Sequence, residues 1–250
     1  MGGAIALGAI TSGTVSASDV NVSYPLDYIV DEFNHRGYNS NFSNDNVAAI
    51  EGAHIVIVAV KPWLMESVLA EIRPKFDAGS QMLISIAAGI TLEQLHDYIG
   101  QDATVFRVIP NTAIAIGKST TFICPSNNAN QQSIADVVRL FKSTGEVFLI
   151  EQKDMAAVTA LSSCGIAYAF RYIDAAVAGG VELGLDRNKS LKIVLQTVKG
   201  AVEMLEKYET QPQAEIDKVT TPGGITLKGL EAMKNSGFEK AVIEGLKASK

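Results

Sequence analysis

Every short apolar run that reads as a strand lies at or before Ile150, and the residues after Asp154 read only as helix. That asymmetry limits the chain to an α/β unit followed by an all-helical one. Strands are expected at Val20–Tyr24, Tyr38–Phe42, His54–Val60, Met82–Ala87, Thr104–Ile109, Thr120–Cys124 and Glu146–Ile150. Between them, helical patterns cover Leu26–His35, one turn at Asn46–Ile50, then Trp63–Ile72, Leu92–Ile99 and Gln131–Lys142. Strands and helices alternating at this spacing predict a doubly wound parallel sheet. The unbroken apolar run His54–Val60 suits a strand covered on both faces. Thr91 and Gln94 form a capping box for the helix that follows, and Pro62 suits a first helical turn.

Ligands of such sheets bind outside the carboxyl ends of the strands. The loops at Lys61-Pro62, Ala88-Gly89 and Asn111-Thr112 all fall there. A dinucleotide-binding sheet ordinarily opens with a strand and Gly-x-Gly-x-x-Gly. Met1-Gly-Gly-Ala-Ile-Ala-Leu-Gly fits only the tail of that turn and a helix rich in small residues. The expectation is therefore a sheet without its first strand, and weak dinucleotide binding by the chain as numbered.

The domain boundary is expected at residue 152, with 1–152 holding the sheet and 153–250 the helices. In the second part, Ser162-Ser-Cys-Gly165 reads as a break before a long helix from Ile166 to about Gly184. That helix is apolar nearly all round, with Arg171 and Asp174 its only charges before Glu182, which predicts burial against a partner subunit. Asp186 caps the helix Leu191–Tyr208. Helices Ala214–Val219, Leu227–Asn235 and Phe238–Ala248 follow, and Thr220-Thr-Pro-Gly-Gly-Ile-Thr226 lies between the first two of these. Pro222 stops the first helix and biases Thr221 away from helical torsions. Gly223 and Gly224 allow bare backbone to approach another group. A helix start at Thr226 has free N–H groups suited to a carboxylate. Taken alone, the same stretch also reads as a tight helix–helix corner with an incidental hydroxyl.

Composition narrows the function. A net charge of −6 argues against nucleic acid and anionic membranes as general partners. Cys124 and Cys164 are too few for a disulfide framework, and no Cys/His cluster has metal-ligand spacing, so an intracellular, cytoplasmic setting without a metal is expected. The uncharged, largely apolar run Met155–Phe170 is shorter than a membrane span.

Several ordered segments resemble pyrroline-5-carboxylate reductase. They are Ala59-Val-Lys-Pro, Ser85-Ile-Ala-Ala-Gly-Ile-Thr, Arg107-Val-Ile-Pro-Asn-Thr, the stretch Val158 to Tyr168, the pair Gly179-Gly-Val-Glu-Leu-Gly-Leu and Leu195-Gln-Thr-Val-Lys-Gly-Ala, and Thr221-Pro-Gly-Gly-Ile-Thr. The resemblance implies a Rossmann-type domain followed by a helical dimerisation domain. It also implies hydride transfer from NADPH, or NADH, to the C=N bond of a cyclic imino acid, giving proline. By the same resemblance the cofactor lies along Gly2, Tyr24, Asn46, Ala59, Val60, Lys61, Pro62, Ile86, Ala87 and Ala88. The substrate is held by Gly223, Gly224, Ile225 and Thr226, with Thr226 the catalytic hydroxyl. No Asp or Glu ends Val20–Tyr24, which favours NADP over NAD. The chain departs from the family pattern at Ser163, Cys164 and Ile166 beside the active site, at Gln211 before Pro212, and at Ile225. Two other readings stay open on the residues alone: a related imine or keto reductase, and a dimeric metabolite-binding protein without cofactor.

Overall fold

The structure is a computed structural model and describes residues 1–23 and 27–250. The chain divides into two compact units, Met1–Ser163 and Cys164–Lys250.

The first unit opens with helix α1 (Gly2–Thr11). Strand β1 (Asn21–Ser23), helix α2 (Asp27–His35), strand β2 (Asn41–Ser43) and the single turn α3 (Asn46–Ile50) follow. Then β3 (Ile55–Val58), α4 (Met65–Ile72), β4 (Met82–Ser85), α5 (Leu92–Ile99) and β5 (Thr104–Ile109) alternate. Strand β6 (Ser119–Pro125), α6 (Gln131–Lys142), β7 (Gly145–Leu149) and α7 (Met155–Val158) complete the unit.

The strands form two separate pieces. One pairs β1 with β2 in parallel; the other is five-stranded, in the order β3-β4-β5-β6-β7. No strand pairs with β3 on its other side among the described residues. The five-stranded piece is parallel except for β5 and β6, which run antiparallel with Arg107 opposite Cys124. The connection from Ile109 to Ser119 holds only a short helical turn, Thr112–Ile116, and is too brief for a crossover helix. The chain therefore returns antiparallel, which alternation of apolar runs alone did not disclose.

Side chains alternate across this sheet as the strand period requires. Leu83 and Val105 point to one face, where α4 and α5 bury Met65, Leu69, Ile72, Leu95 and Ile99. Met82, Ile84, Phe106 and Val108 point to the other, where α1 and α6 bury Ile5, Ala9, Val137 and Phe141. Helices cover both faces, so the unit is doubly wound. Local signals hold: Thr91 Oγ accepts from the Gln94 N–H at 3.2 Å, and Gln94 Oε1 accepts from the Thr91 N–H at 2.9 Å.

The segment expected to break at Ser162–Gly165 does not break. Thr159–Cys164 is π-helical and runs on into α8 (Gly165–Glu182). Thr159 Oγ1 donates to the Met155 carbonyl at 2.7 Å at the start of this widened turn. A π-turn lets the chain take up an extra residue while staying helical, and such turns are frequent at functional sites.

The second unit continues with α9 (Arg187–Tyr208), α10 (Pro212–Lys218), α11 (Ile225–Asn235) and α12 (Phe238–Ala248). Asp186 caps α9 by accepting from the Lys189 N–H at 3.0 Å. Pro212 is the first residue of α10, where its missing N–H costs no hydrogen bond. Tyr168 on α8 donates to the Gly245 carbonyl on α12 at 3.2 Å. This unit buries little by itself: Val177 is the one buried apolar side chain among the residues of α8 to α12, while Phe170, Leu183, Leu195, Val202 and Ile243 are exposed.

Candidate active site

Because β3, β4 and β5 are parallel, the loops after them leave on one edge. Ala59–Pro62 follow β3 and Ile86–Ala88 follow β4. The Ile86 N–H donates to the Val58 carbonyl at 3.3 Å, so these two loops begin side by side. Ala87 is buried and its N–H donates to Ser85 Oγ at 3.3 Å, while Ala88 is exposed. Val60 packs on the core that includes Ala87. Lys61 is exposed and extended, and Pro62 opens the short helical turn Pro62–Leu64.

Helix α1 starts at the same edge. A Cβ added to Gly2 would lie 2.9 Å from the Cβ of Ala59, closer than real Cβ atoms come. Only glycine lets the first turn of α1 pass this tightly over the end of β3. That turn holds no acidic residue and no side chain caps it. Its free N–H groups and the positive end of the helix favour an anion such as a pyrophosphate. Gly2, Ala59, Val60, Lys61, Pro62, Ile86, Ala87 and Ala88 are thus gathered at one edge.

Asn46, expected along the cofactor, is held by two side-chain hydrogen bonds. Its Oδ1 accepts from Ser23 Oγ at 2.8 Å and its Nδ2 donates to Glu71 Oε2 at 2.8 Å. The side chain ties β1 and α3 to α4. Tyr24 lies outside the described residues.

Gly223, Gly224, Ile225 and Thr226 belong to the second unit. Gly223 has φ +74°, which L side chains rarely adopt. Gly224 donates from its N–H to the Thr221 carbonyl at 2.9 Å and is the N-cap of α11. The helix therefore begins at Ile225, earlier than the expected Leu227, and Thr226 is its second residue. Ile225 and Thr226 are exposed; the first turn again has neither an acid nor a side-chain cap. Thr226 makes no side-chain hydrogen bond among the described residues, so its hydroxyl is not spent on capping.

Two polar clusters escaped the sequence reading. In the first, Asn111 just after β5 is buried, and its Nδ2 donates to Ser162 Oγ at 3.2 Å. In the second, Gln152 Oε1 accepts from the Leu92 N–H at 2.8 Å and from Arg107 Nη1 at 3.3 Å. Its Nε2 donates to both Glu93 carboxylate oxygens at 3.0 Å. Hydrogen bonds from its own backbone N–H and then from Gln152 hold the Glu93 carboxyl below the usual range. Burial lowers the Arg107 guanidinium and raises the Cys124 thiol opposite it. Neither cluster has a spacing signature, because each joins residues far apart in the chain.

No group of three or more His, Cys, Asp or Glu is placed to hold a metal among the described residues. No described helix is long and apolar enough to cross a membrane. A cleft lined by Glu51, His54, Lys75, Asp77 and Ser80 lies at the amino ends of β3 and β4, opposite the loops above.

Residues 152–250 match the family model described as pyrroline-5-carboxylate reductase dimerisation. Residues 1–89 match the model described as NADP oxidoreductase, coenzyme F420-dependent. Pyrroline-5-carboxylate reductase 2 of Bacillus subtilis is 38% identical over 189 residues, covering 76% of this chain and 67% of the relative. The Escherichia coli pyrroline-5-carboxylate reductase is 34% identical over 247 residues, covering 98% of this chain and 91% of the relative. Among solved structures, the Plasmodium falciparum pyrroline carboxylate reductase with NADP bound has a TM-score of 0.90 and 31% identity, covering 100% of this chain and 91% of that one. Fold and matches together define a two-part oxidoreductase with a Rossmann-type first unit. The chain belongs to the pyrroline-5-carboxylate reductase family. Its helical unit carries that family's dimerisation region, which makes it a homo-oligomer.

Proposed function

We propose that the chain reduces the C=N bond of 1-pyrroline-5-carboxylate to L-proline with NADPH. The observation that carries the reading is the loop Thr221–Thr226, where Gly223 and Gly224 deliver an uncapped helix start beside a free hydroxyl. That is what a small cyclic imino acid needs: N–H groups for its carboxylate and a hydrogen-bonding group for its nitrogen. The membership in the family and the NADP bound by the Plasmodium falciparum relative support the same choice.

The cradle where Gly2 meets Ala59 fits a dinucleotide, since bare backbone and free N–H groups meet there. Gly2 and the loops Ala59–Pro62 and Ile86–Ala88 would hold it. When bound, the reduced nicotinamide supplies the hydride that the imine carbon takes up. The protein orients the two ligands and manages one proton at the ring nitrogen. Thr226 Oγ hydrogen-bonds that nitrogen and fixes the face it presents. A threonine hydroxyl is too weak an acid to be the source of the proton, so Thr226 passes on one drawn from solvent. The backbone N–H groups at Gly223 and at the start of α11, Ile225 and Thr226, hold the carboxylate and keep the imine carbon in place, while the Gly224 N–H stays with the Thr221 carbonyl and shapes the loop.

The apolar, exposed surface of α8 forms the subunit contact of a dimer, and the enzyme works in the cytoplasm. The domain division that serves this chemistry is 1–152 for the cofactor and 153–250 for substrate and dimer. The test is NADPH oxidation that requires 1-pyrroline-5-carboxylate, run beside melting curves with NADPH, NADH and proline. NADPH loss without proline formation, or a melting response to NADH alone, would remove the reading.

A further inference from the structure

Asn111 makes more of its surroundings than a loop residue needs. Its N–H donates to Ser119 Oγ at 3.2 Å, and the Ser119 and Thr121 hydroxyls lie 3.0 Å apart, both buried. Ser119 Oγ accepts from Asn111, and either hydroxyl of the Ser119–Thr121 pair can donate to the other. The side-chain amide is fixed. Oδ1 accepts from the Ala113 N–H at 3.0 Å, and a backbone N–H can only donate, so the group facing Ser162 is the Nδ2 donor. Ser162 Oγ is therefore an acceptor on that side. Its own hydrogen must point away from Asn111, and it meets no protein acceptor among the described residues. Ser162 sits in the π-turn Thr159–Cys164, half-buried, and Asn111 follows β5 at the edge where the Gly2, Ala59 and Ile86 loops lie.

We propose that Asn111 is a positioning residue for the reductase site: it anchors the π-turn to the carboxyl edge of the sheet and turns the Ser162 hydroxyl into an oriented donor for a ligand oxygen. The inference rests on the reductase reading. An oxygen on the imino acid's carboxylate and one on the cofactor's carboxamide share the chemistry that Ser162 would meet. Asn111 touches neither and acts through Ser162.

The decisive variant is Asn111→Asp. The new carboxylate still accepts from the Ala113 N–H, so the local turn is kept. Its second oxygen can only accept, so the Ser162 hydrogen swings towards it and is lost to the ligand. Asn111→Asp and Ser162→Ala should each lower kcat/KM by about tenfold or more, roughly the effect of one lost hydrogen bond. The double variant should be no worse than Ser162→Ala alone. The Asn111→Asp loss should also recover towards acid pH, where the introduced carboxyl takes up a proton and donates again. If the acceptor belongs to the cofactor, the Kd for NADPH rises; if it belongs to the imino acid, the KM for 1-pyrroline-5-carboxylate rises. Hydrogen exchange over residues 159–164 should quicken in Asn111→Ala but not in Asn111→Asp, which keeps the bond reversed. Full activity and NADPH affinity in Asn111→Asp would overturn the proposal. Should the unaltered chain show no reductase activity, the functional reading falls by itself. The positioning claim is then decided by exchange alone: unchanged rates over 159–164 in Asn111→Ala would refute it, and quickened rates would sustain it.

Discussion

Gly2 and Ala59 stand so close that no side chain fits between them: a Cβ on Gly2 would lie 2.9 Å from that of Ala59. Neither atom is the far end of a flexible side chain, so the helix itself must move if Gly2 is enlarged. Gly2→Ala should cost about 1–3 kcal/mol of stability through overpacking. It should also weaken NADPH binding by about tenfold, because the first turn of α1 lifts off the loop after β3. Ala59→Gly added to Gly2→Ala should restore part of both. Calorimetry and melting curves on the three proteins check this, and unchanged affinity in Gly2→Ala would remove the α1 start from the cofactor site.

Thr226 is the second residue of α11 and Gly224 is the cap. A hydroxyl at that place can be removed without uncapping the helix. Thr226→Ala should leave the melting temperature nearly unchanged while lowering kcat and kcat/KM together. The loss of one hydrogen bond corresponds to about 1–3 kcal/mol, roughly ten- to a hundredfold in rate. Thr226→Ser should keep most of the activity. Normal rates in Thr226→Ala would take the residue out of the reaction.

What could be read from the chain follows from how local each signal is. The capping box at Thr91 and Gln94 and the cap at Asp186 are made by neighbours a few residues apart, and both stand as expected. The small residues expected for α1 are there, and Gly2 uses its missing side chain to pass close to Ala59. The antiparallel return of β6 was hidden because it depends on the length of the Ile109–Ser119 connection rather than on apolar pattern. Ser162-Ser-Cys-Gly165 looked like a break since small and polar residues disfavour helix. The π-turn is kept there by Thr159 bonding back to Met155 and by Asn111, which lies far away in sequence. The bonds of Asn46 to Ser23 and Glu71 have no local signature either, because they join residues more than twenty positions apart.

The helical unit leaves Phe170 and Leu183 of the α8 region exposed, and Ala175 lies on an exposed part of α8 as well. Subunit association should cover them. Ala175→Asp would then bury an unpaired charge and cost several kcal/mol, about 3–5 for a fully buried site. Sedimentation should show dissociation of this variant at concentrations where the unaltered chain stays associated. A charge at Ala175 that changes neither association nor stability would place the contact elsewhere.

Glu93 gives a pH dependence with a definite sign. Its carboxyl is held below the usual range in the folded protein by its own N–H and by Gln152. A depressed folded pKa stabilises above the ordinary carboxylate pKa, about 4.3, and that contribution is lost as pH falls through the folded value. Glu93→Gln should therefore be less stable than the unaltered chain near neutral pH, with the difference shrinking as pH falls below about 4. Denaturant titrations across that range measure it. A difference that stays constant with pH would show that the Gln152 contact does not depend on the charge.

The reductase reading stands or falls on where the hydride goes. With 1-pyrroline-5-carboxylate and NADPH deuterated at its transferable position, proline should form mole for mole with oxidised cofactor, carrying deuterium on the former imine carbon. Folded chain that yields no proline at millimolar NADPH, or proline without the label, would contradict it.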